Sequence, residues 1–437
     1  MSTELLDAKK KNLQVSSMAE TLIGSEIIQL AWQINDRISK GQNILNLTIG
    51  DFNPNIFPIP DELTEEIKKA YDDHQTNYPP ADGTMGLRKA ISDYIKEKGN
   101  LDYDIDEILI SSGARPIIFA IYNTLVDLDD VVIFPVPSWN NNHYCHLTRS
   151  RVITIETTPE NNFMPTAEEL EPHVKEATLI SLCSPLNPTG TCFSEIEIQK
   201  ICDLVINENN RRGDDQKPLY VLFDQIYWQL TLGDTKHYNP VVINPEMKDY
   251  TIFVDGISKA FAATGVRVGW GYGPKRIIGK MKSITSHMGA WAPKAEQVAV
   301  SKFLMNDIAV SSFLDKFKGE IFERVNVFYK KFKELKNDGY NVDVIAPQAS
   351  IFLTLKIDLT GWRKEDGTII KTTKDITNFL IDEARIALVP FSSFGSSPDS
   401  KWFRVAVGTC TVKEIELMLE NFKITLSKLT KTDQVIG

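Results

Sequence analysis

The sequence predicts an α/β protein: a larger part built on a mostly parallel sheet wrapped by helices, followed by a compact α+β part. Three observations carry this expectation. Between residues 106 and 271 short apolar runs alternate with stretches of helical spacing. A long helical stretch of charged and apolar residues at 311–336 then interrupts the alternation, and beyond residue 340 shorter strands and helices are mixed.

In chain order, strands are expected at 106–111, 130–134, 151–156, 178–183, 219–223, 251–254 and 267–271. Each is a run of four to six residues, and all but the last are rich in Val, Ile, Leu or Phe, as buried strands require. Helices are expected at 116–125, 143–149, 166–174, 194–206 and 294–305, which gives the strand–helix alternation of crossover connections. After the connector at 311–336 come strands at 350–357, 387–390 and 402–407, with helices at 374–383 and 413–429. Near the amino terminus Ile27, Ile28, Leu30, Ala31, Ile34 and Ile38 fall at helical spacing, so a packing helix is expected there. No period of 20 to 50 residues recurs, which excludes a repeat architecture.

Composition narrows the class of function. A chain of 437 residues has ample material for a large core and for roughly two or three domains. Its net charge is 48 − 58 = −10, which argues against a nucleic-acid partner, since basic stripes supply that affinity. The six histidines are scattered and the five cysteines show no metal-ligand spacing, so no metal is expected and a reducing, cytoplasmic compartment fits best. Residues 1–13 carry lysines without an apolar core, and no stretch approaches the ~18 apolar residues of a spanning helix, so neither a targeting segment nor a membrane partner is expected.

Chemistry is concentrated where the expected strands end, the place open α/β sheets put their ligands. Lys259 follows the strand at 251–254 in a loop of small residues, and Arg267 lies eight positions on. A lysine that binds an aldehyde covalently must be partly deprotonated, so burial or a neighbouring cation has to lower its pKa from about 10.4. Arg267 can act as that cation while its planar fork grips a phosphate. Ser112-Gly113-Ala114-Arg115 leads from a strand directly into a helix, whose first N–H groups form an anion site. In Ser184-Pro185-Leu186-Asn187-Pro188 two prolines stiffen the loop that aims Asn187. Asp224, at another strand end, is followed three residues later by Tyr227; a buried aspartate there needs a cationic or hydrogen-bonding partner. Each signal alone has a plain alternative: a surface lysine, a tight turn, a helix cap, or for Trp139 a core tryptophan.

Together these motifs resemble the class I/II (aspartate aminotransferase) family of fold type I pyridoxal-phosphate-dependent aminotransferases. The resemblance runs from about residue 44 to about residue 407, with Tyr78, Ser112 to Arg115, Asn187 to Gly190, Asp224 to Tyr227 and Ser258 to Gly269 in the family's order. It implies a seven-stranded sheet in a large domain, residues 56–325, and a smaller α+β domain assembled from residues 1–55 and 326–437. It implies pyridoxal 5'-phosphate as cofactor, with Lys259 as Schiff-base lysine and proton shuttle, Asp224 paired with the pyridine nitrogen, and Tyr227 and Asn187 on the ring's phenolic oxygen. Arg267, Ser258 and the backbone amides of Ala114 and Arg115 would hold the phosphate, and Trp139 would stack on the ring. Arg404 would grip the substrate α-carboxylate, assisted by the N–H of Gly50 and by Asn187. Tyr78 would reach the phosphate of a neighbouring subunit, which makes a homodimer with shared sites the expected assembly, and an amino acid and a 2-oxo acid the expected small-molecule partners.

The sequence departs from the family in two places. Gly256 stands where a phosphate-touching serine is common, three residues before Lys259. The segment 281–293 has no arginine to read a distal substrate carboxylate, whereas Arg115 stands where another branch of the family uses a basic side chain for that task. Acidic amino acids are therefore the leading substrate expectation. Ile23, Trp291 and Phe391 mark the alternative of a bulky apolar side chain, and Ile23-Gly24-Ser25 is expected near the substrate mouth. Two further readings compete: a lyase performing β-elimination on sulfur amino acids in the same site, and an aminotransferase-like effector-sensing domain.

Overall fold

The structure, a computed structural model, describes residues 15–431. The stretch 1–13, read above as free of a targeting segment, lies outside the described residues, as do the ends of the expected small domain.

Among the described residues fifteen strands in chain order form four sheets: β1 (Leu45–Asn46), β2 (Ile108–Ser111), β3 (Val131–Val136), β4 (Arg151–Glu156), β5 (Ala177–Cys183), β6 (Tyr220–Asp224), β7 (Thr251–Gly256), β8 (Gly269–Tyr272), β9 (Val342–Val344), β10 (Phe352–Ile357), β11 (Trp362–Arg363), β12 (Ile386–Ala387), β13 (Val389–Pro390), β14 (Trp402–Ala406) and β15 (Thr430–Lys431). Seven of them make one sheet in the order β2-β8-β7-β6-β5-β3-β4. The pairs β3–β4, β3–β5, β5–β6 and β6–β7 are parallel, and β8 alone runs against its neighbours β2 and β7. Strands β2, β3 and β7 are buried along their whole length, the mark of a sheet covered on both faces. The sheet is the fold type I arrangement expected from the sequence.

Local chemistry sets the helices that flank it. Ser194 Oγ accepts from the Glu197 N–H at 3.2 Å and starts the helix Glu195–Arg212, whose face of Ile198, Ile201, Cys202 and Val205 is buried. Three helices longer than ten residues went unread in the sequence: Asp61–Asp72, Met85–Gly99 and Lys275–Met288. The predicted strand at 267–271 also shifts. Arg267 sits at φ 61°, just past the turn at 264–266, and the strand starts only at Gly269 and runs antiparallel to its neighbours. The predicted strand at 387–390 divides in two, because Ala387 pairs with Asn46 of β1 while Val389 pairs with Arg404 of β14.

The second sheet, β13-β14-β10-β9, is antiparallel. Its cover is the 31-residue helix Asp307–Asn337, which begins before the predicted 311 and buries Phe317, Ile321, Val325, Phe328, Phe332 and Leu335 at helical spacing. This apolar cluster reaches across to the large sheet through Tyr227, whose ring meets that of Phe352 edge-on at 5.5 Å. The two sheets thus abut beside the carboxyl ends of β5, β6 and β7. Among the described residues no helix is long and apolar enough to cross a membrane.

Candidate active site

A cavity of about 660 Å³ opens where the strand ends of the large sheet face β14 and the amino-terminal chain. It is lined by all but one of the residues to which the resemblance gives a cofactor or substrate role: Gly50, Ala114, Arg115, Trp139, Asn187, Asp224, Tyr227, Ser258, Lys259, Arg267 and Arg404. Tyr78 is the exception. Its side chain is 83% exposed and lies edge-on to Trp291 at 5.4 Å, outside the cavity of its own chain.

Lys259 leaves the end of β7 in a single helical turn, Ile257–Ala260, so that its side chain enters the cavity. Nζ donates to the Gly50 carbonyl at 2.6 Å. Burial lowers the amine's pKa to about 8; Asp51 opposes the shift, and Arg404, Arg115 and Arg267 add to it. Asp224 has the reverse problem. Its carboxylate accepts only the Ile226 N–H, at 3.0 Å, and burial pushes its pKa up to about 6, against the pull of that N–H and of Lys259. A buried carboxylate without a close cation is a site waiting for one.

Arg267 donates to the Thr264 carbonyl at 2.6 Å and to the Ser112 carbonyl at 2.8 Å, which pins the guanidinium beside the start of the helix Ala114–Leu125. Gly113 makes the approach possible: it holds φ 94°, and a Cβ there would lie 2.2 Å from Arg267 Nη2. No side chain caps this helix, so its first N–H groups stay available to an anion. Gly256, where a serine was expected, packs against the opposing strand. A Cβ there would meet Gly269 Cα at 2.9 Å, so the backbone crossing leaves no room for the missing hydroxyl.

Arg404 is 1% exposed and projects from the middle of β14. Nη2 donates to the Thr48 carbonyl at 2.5 Å and Nη1 to Asn187 Oδ1 at 3.0 Å, while Nε is buried without a partner. The rings of Phe352 and Phe394 lie 4.6 and 4.9 Å from its guanidinium carbon, and burial pushes its pKa down to about 10. Because Asn187 Oδ1 is engaged by Arg404, its Nδ2 is the donor left for a ligand. Burial likewise lifts the Tyr227 phenol well above its usual range. Arg115, exposed at the cavity, rests 5.4 Å over the Trp139 ring and has no ion pair among the described residues.

Several lining residues were not foreseen. Asp51 and Thr264 hydrogen-bond at 2.7 Å although 213 positions apart. Asn141 Oδ1 accepts from Ser181 Oγ at 2.9 Å and from Tyr122 Oη at 3.0 Å. Ser181 was a readable signal, a polar residue inside the apolar run of β5. The bulky-side-chain candidates are not brought together: Ile23 is 63% exposed, Phe391 is buried in the core, Trp291 packs on Tyr78, and none lines this cavity. Ile23, Gly24 and Ser25 border a separate cavity of about 200 Å³, and Ile27, Ile28, Ala31 and Trp32 line the main one instead. Among the described residues no group of three or more His, Cys, Asp or Glu could hold a metal ion.

A depressed amine, a carboxylate lacking its cation and an anion cradle in one cavity define a fold type I enzyme that works through an aldehyde–phosphate cofactor. Comparison with known proteins makes this specific. The family model for aminotransferase class I and II matches residues 42–422, and the chain belongs to that family. It is a pyridoxal-phosphate-dependent aminotransferase. A probable aspartate/prephenate aminotransferase of Rickettsia conorii is 30% identical over 373 residues, 85% of this chain and 88% of that protein. An aspartate aminotransferase of Rhizobium meliloti is 27% identical over 430 residues, 97% of this chain and 98% of its own length. The crystal structure of the aspartate aminotransferase from Rhizobium meliloti has a TM-score of 0.87 at 25% identity, covering 96% of this chain and 100% of that one. The aromatic aminotransferase of Pyrococcus horikoshii shares the fold, with a TM-score of 0.79 at 24% identity over 90% of this chain and 98% of its own. None of these findings supports the lyase alternative.

The residues present fit the cofactor on chemistry: Lys259 for its aldehyde, Asp224 for its ring nitrogen, Arg267 with the uncapped helix start for its phosphate.

Proposed function

We propose that the chain moves the amino group of an acidic L-amino acid, aspartate or glutamate, to a 2-oxo acid in a ping-pong cycle. When bound, pyridoxal phosphate supplies the aldehyde that accepts the amino group and a ring that withdraws electrons from the substrate Cα. Lys259 Nζ would hold that aldehyde and, as a free amine, would take up the substrate Cα proton and give it back. An amine titrating near pH 8 suits both tasks, because charged and neutral forms coexist at neutral pH. The Asp224 carboxylate keeps the ring nitrogen protonated and gains the cation it lacks. Tyr227 and Asn187 Nδ2 would bind the ring oxygen, Trp139 would stack on the ring, and Arg267, Ser258 and the N–H groups of Ala114 and Arg115 would hold the phosphate.

Arg404 binds the substrate α-carboxylate with its fork, and Gly50 assists. The single observation that carries the acidic substrate is the guanidinium of Arg115 in the same cavity, resting on Trp139, without an ion pair among the described residues and placed to take a second carboxylate. The names of the relatives, aspartate and aspartate/prephenate aminotransferase, point the same way. The test is the variant Arg115→Ala, assayed with aspartate and with phenylalanine. A loss of roughly 10-fold to 100-fold in kcat/KM confined to aspartate is expected for a charged contact; equal losses for both would overturn the distal-carboxylate role.

The same reading divides the chain into a cofactor-binding domain, 56–325, and a smaller domain from 1–55 and 326–437 that closes on bound substrate and excludes water. Support comes from the core, where two apolar clusters line the large sheet and a separate one lines the small sheet. Homodimerisation would bring Tyr78, exposed on its own chain, to a neighbour's phosphate; sedimentation and the effect of Tyr78→Phe on cofactor affinity test this. A cytoplasmic location agrees with five cysteines that are all unpaired.

A further inference from the structure

The chain from Thr48 to Asp51 touches three parts of the site in four residues. The Thr48 carbonyl holds Arg404 at 2.5 Å, the Gly50 carbonyl holds Lys259 Nζ at 2.6 Å, and Asp51 Oδ1 accepts from Thr264 Oγ1 at 2.7 Å and from the Phe52 N–H at 2.8 Å. Thr264 lies on the loop that joins Lys259 to Arg267, and its own carbonyl takes Arg267 Nη1 at 2.6 Å. The segment is also pressed in place from behind: a Cβ at Gly408 would lie 2.1 Å from the Asp51 carbonyl oxygen, and the Asn53 N–H donates to the Gly408 carbonyl at 2.9 Å.

Charges around the lysine come from every element packed against it. Arg404 faces it from β14, Arg115 from the start of the helix Ala114–Leu125, Arg267 from its own loop, Asp224 and Tyr227 from the end of β6, and Asp51 from the amino-terminal chain. Three guanidinium groups therefore oppose a proton on Nζ, and Asp51 and Asp224 are the carboxylates among these neighbours. Asp224 is the one committed to the cofactor ring in the functional reading above. The other is tied by two hydrogen bonds and shares no bond with the lysine, so it acts through charge and through the carbonyl next to it.

We propose that Asp51 is a positioning residue for the reacting amine: clamped to Thr264, it holds the Gly50 carbonyl as the resting acceptor for free Lys259 Nζ and offsets the arginines around it. The proposal rests on the reading of Lys259 as that amine. Without Asp51 the free amine would lose its proton too readily and would not be parked between its two tasks, holding the aldehyde and moving the Cα proton.

The test compares Asp51→Asn, which keeps an oxygen for Thr264 and Phe52 but removes the charge, with Asp51→Glu, which keeps the charge. Acetylation of Lys259 by acetic anhydride is followed against pH in the cofactor-free full chain, by peptide mass. In Asp51→Asn the midpoint moves about 1 unit below that of the wild type, as loss of a nearby opposite charge requires. In Asp51→Glu it stays within about 0.3 units, and in the loaded enzyme the acid limb of the kcat profile follows the same order. An Asp51→Asn curve that overlies the wild type, or equal shifts in both variants, overturns the proposal while leaving the functional reading intact. A wild-type chain that binds no pyridoxal phosphate through Lys259 overturns both.

Discussion

The two walls of the cavity are built by different rules. On the large-sheet wall the reactive groups sit just past parallel strands: Asn187 after β5, Asp224 at the end of β6, Lys259 after β7. On the facing wall Arg404 springs from the middle of an antiparallel strand, paired with Thr354 on one side and Val389 on the other, while Gly50 and Asp51 lie in irregular chain. The first wall holds groups whose charge burial disfavours, an amine lowered to about 8 and a carboxylate raised to about 6. The second supplies a guanidinium whose buried Nε has no partner. In the proposed reading one wall serves a cofactor that stays, the other a carboxylate that comes and goes.

The hardest way to break this contrast is Lys259→Ala, which in the proposed reading removes both the covalent anchor and the proton shuttle. Turnover of any amino acid should fall by about 10⁴-fold or more, measured as oxo-acid release, while the fold persists by circular dichroism. A variant that still transaminated would end the assignment of the first wall.

Arg404→Lys probes the second wall. It keeps the positive charge and loses the fork that now spans Thr48 and Asn187. A fall of about 100-fold in kcat/KM is expected, with cofactor affinity unchanged by spectral titration. A drop in cofactor affinity of the same size would merge the two walls into one unit.

Packing beneath the first wall is tested by Gly256→Ser, which restores the family's common residue. With Gly269 Cα only 2.9 Å from the new Cβ, the variant should lose about 1 to 3 kcal/mol of stability in denaturant melts. Unchanged stability would show that the strands can part enough to admit the hydroxyl.

The smallest effect concerns Asp224 in the cofactor-free protein. Its folded pKa, about 6, lies above the ordinary carboxylate value of 3.8, so its ionisation destabilises the fold. That cost is absent below pH 3.8, develops as pH rises, and is complete above pH 6. Asp224→Asn should therefore stabilise the cofactor-free chain by about 1 to 2 kcal/mol at pH 7, allowing for water in the cavity, and by almost nothing at pH 4. Equal gains at both pH values would show that the carboxylate is not strained.

Much of the fold could be read because its signals are local. Apolar runs such as 178–183 and 251–254 announced the buried strands, and the helix at 194–206 lies within the observed Glu195–Arg212 apart from its capping serine. Misreadings fell where local rules compete. Arg267, at φ 61°, looked like the start of a strand, and the split between Ala387 and Val389 depends on two different partners. The unread helix Lys275–Met288 follows the strand Gly269–Tyr272 after only two residues.

By itself the sequence determined the class of sheet, the order of the polar strand ends, and the resemblance that pointed to pyridoxal phosphate. The first two rest on side-chain periodicity and turn chemistry, which act within a few residues, and the third on short motifs in the family's order. The tertiary structure alone decided that Thr48 would meet Arg404 across 356 positions, Asp51 meet Thr264 across 213, and the Gly50 carbonyl receive Lys259 across 209. It also decided the protonation of the site, since burial shifts the pKa values of Lys259, Asp224 and Arg404 more than any neighbour does. Burial belongs to the whole packed molecule, and no window of sequence contains it.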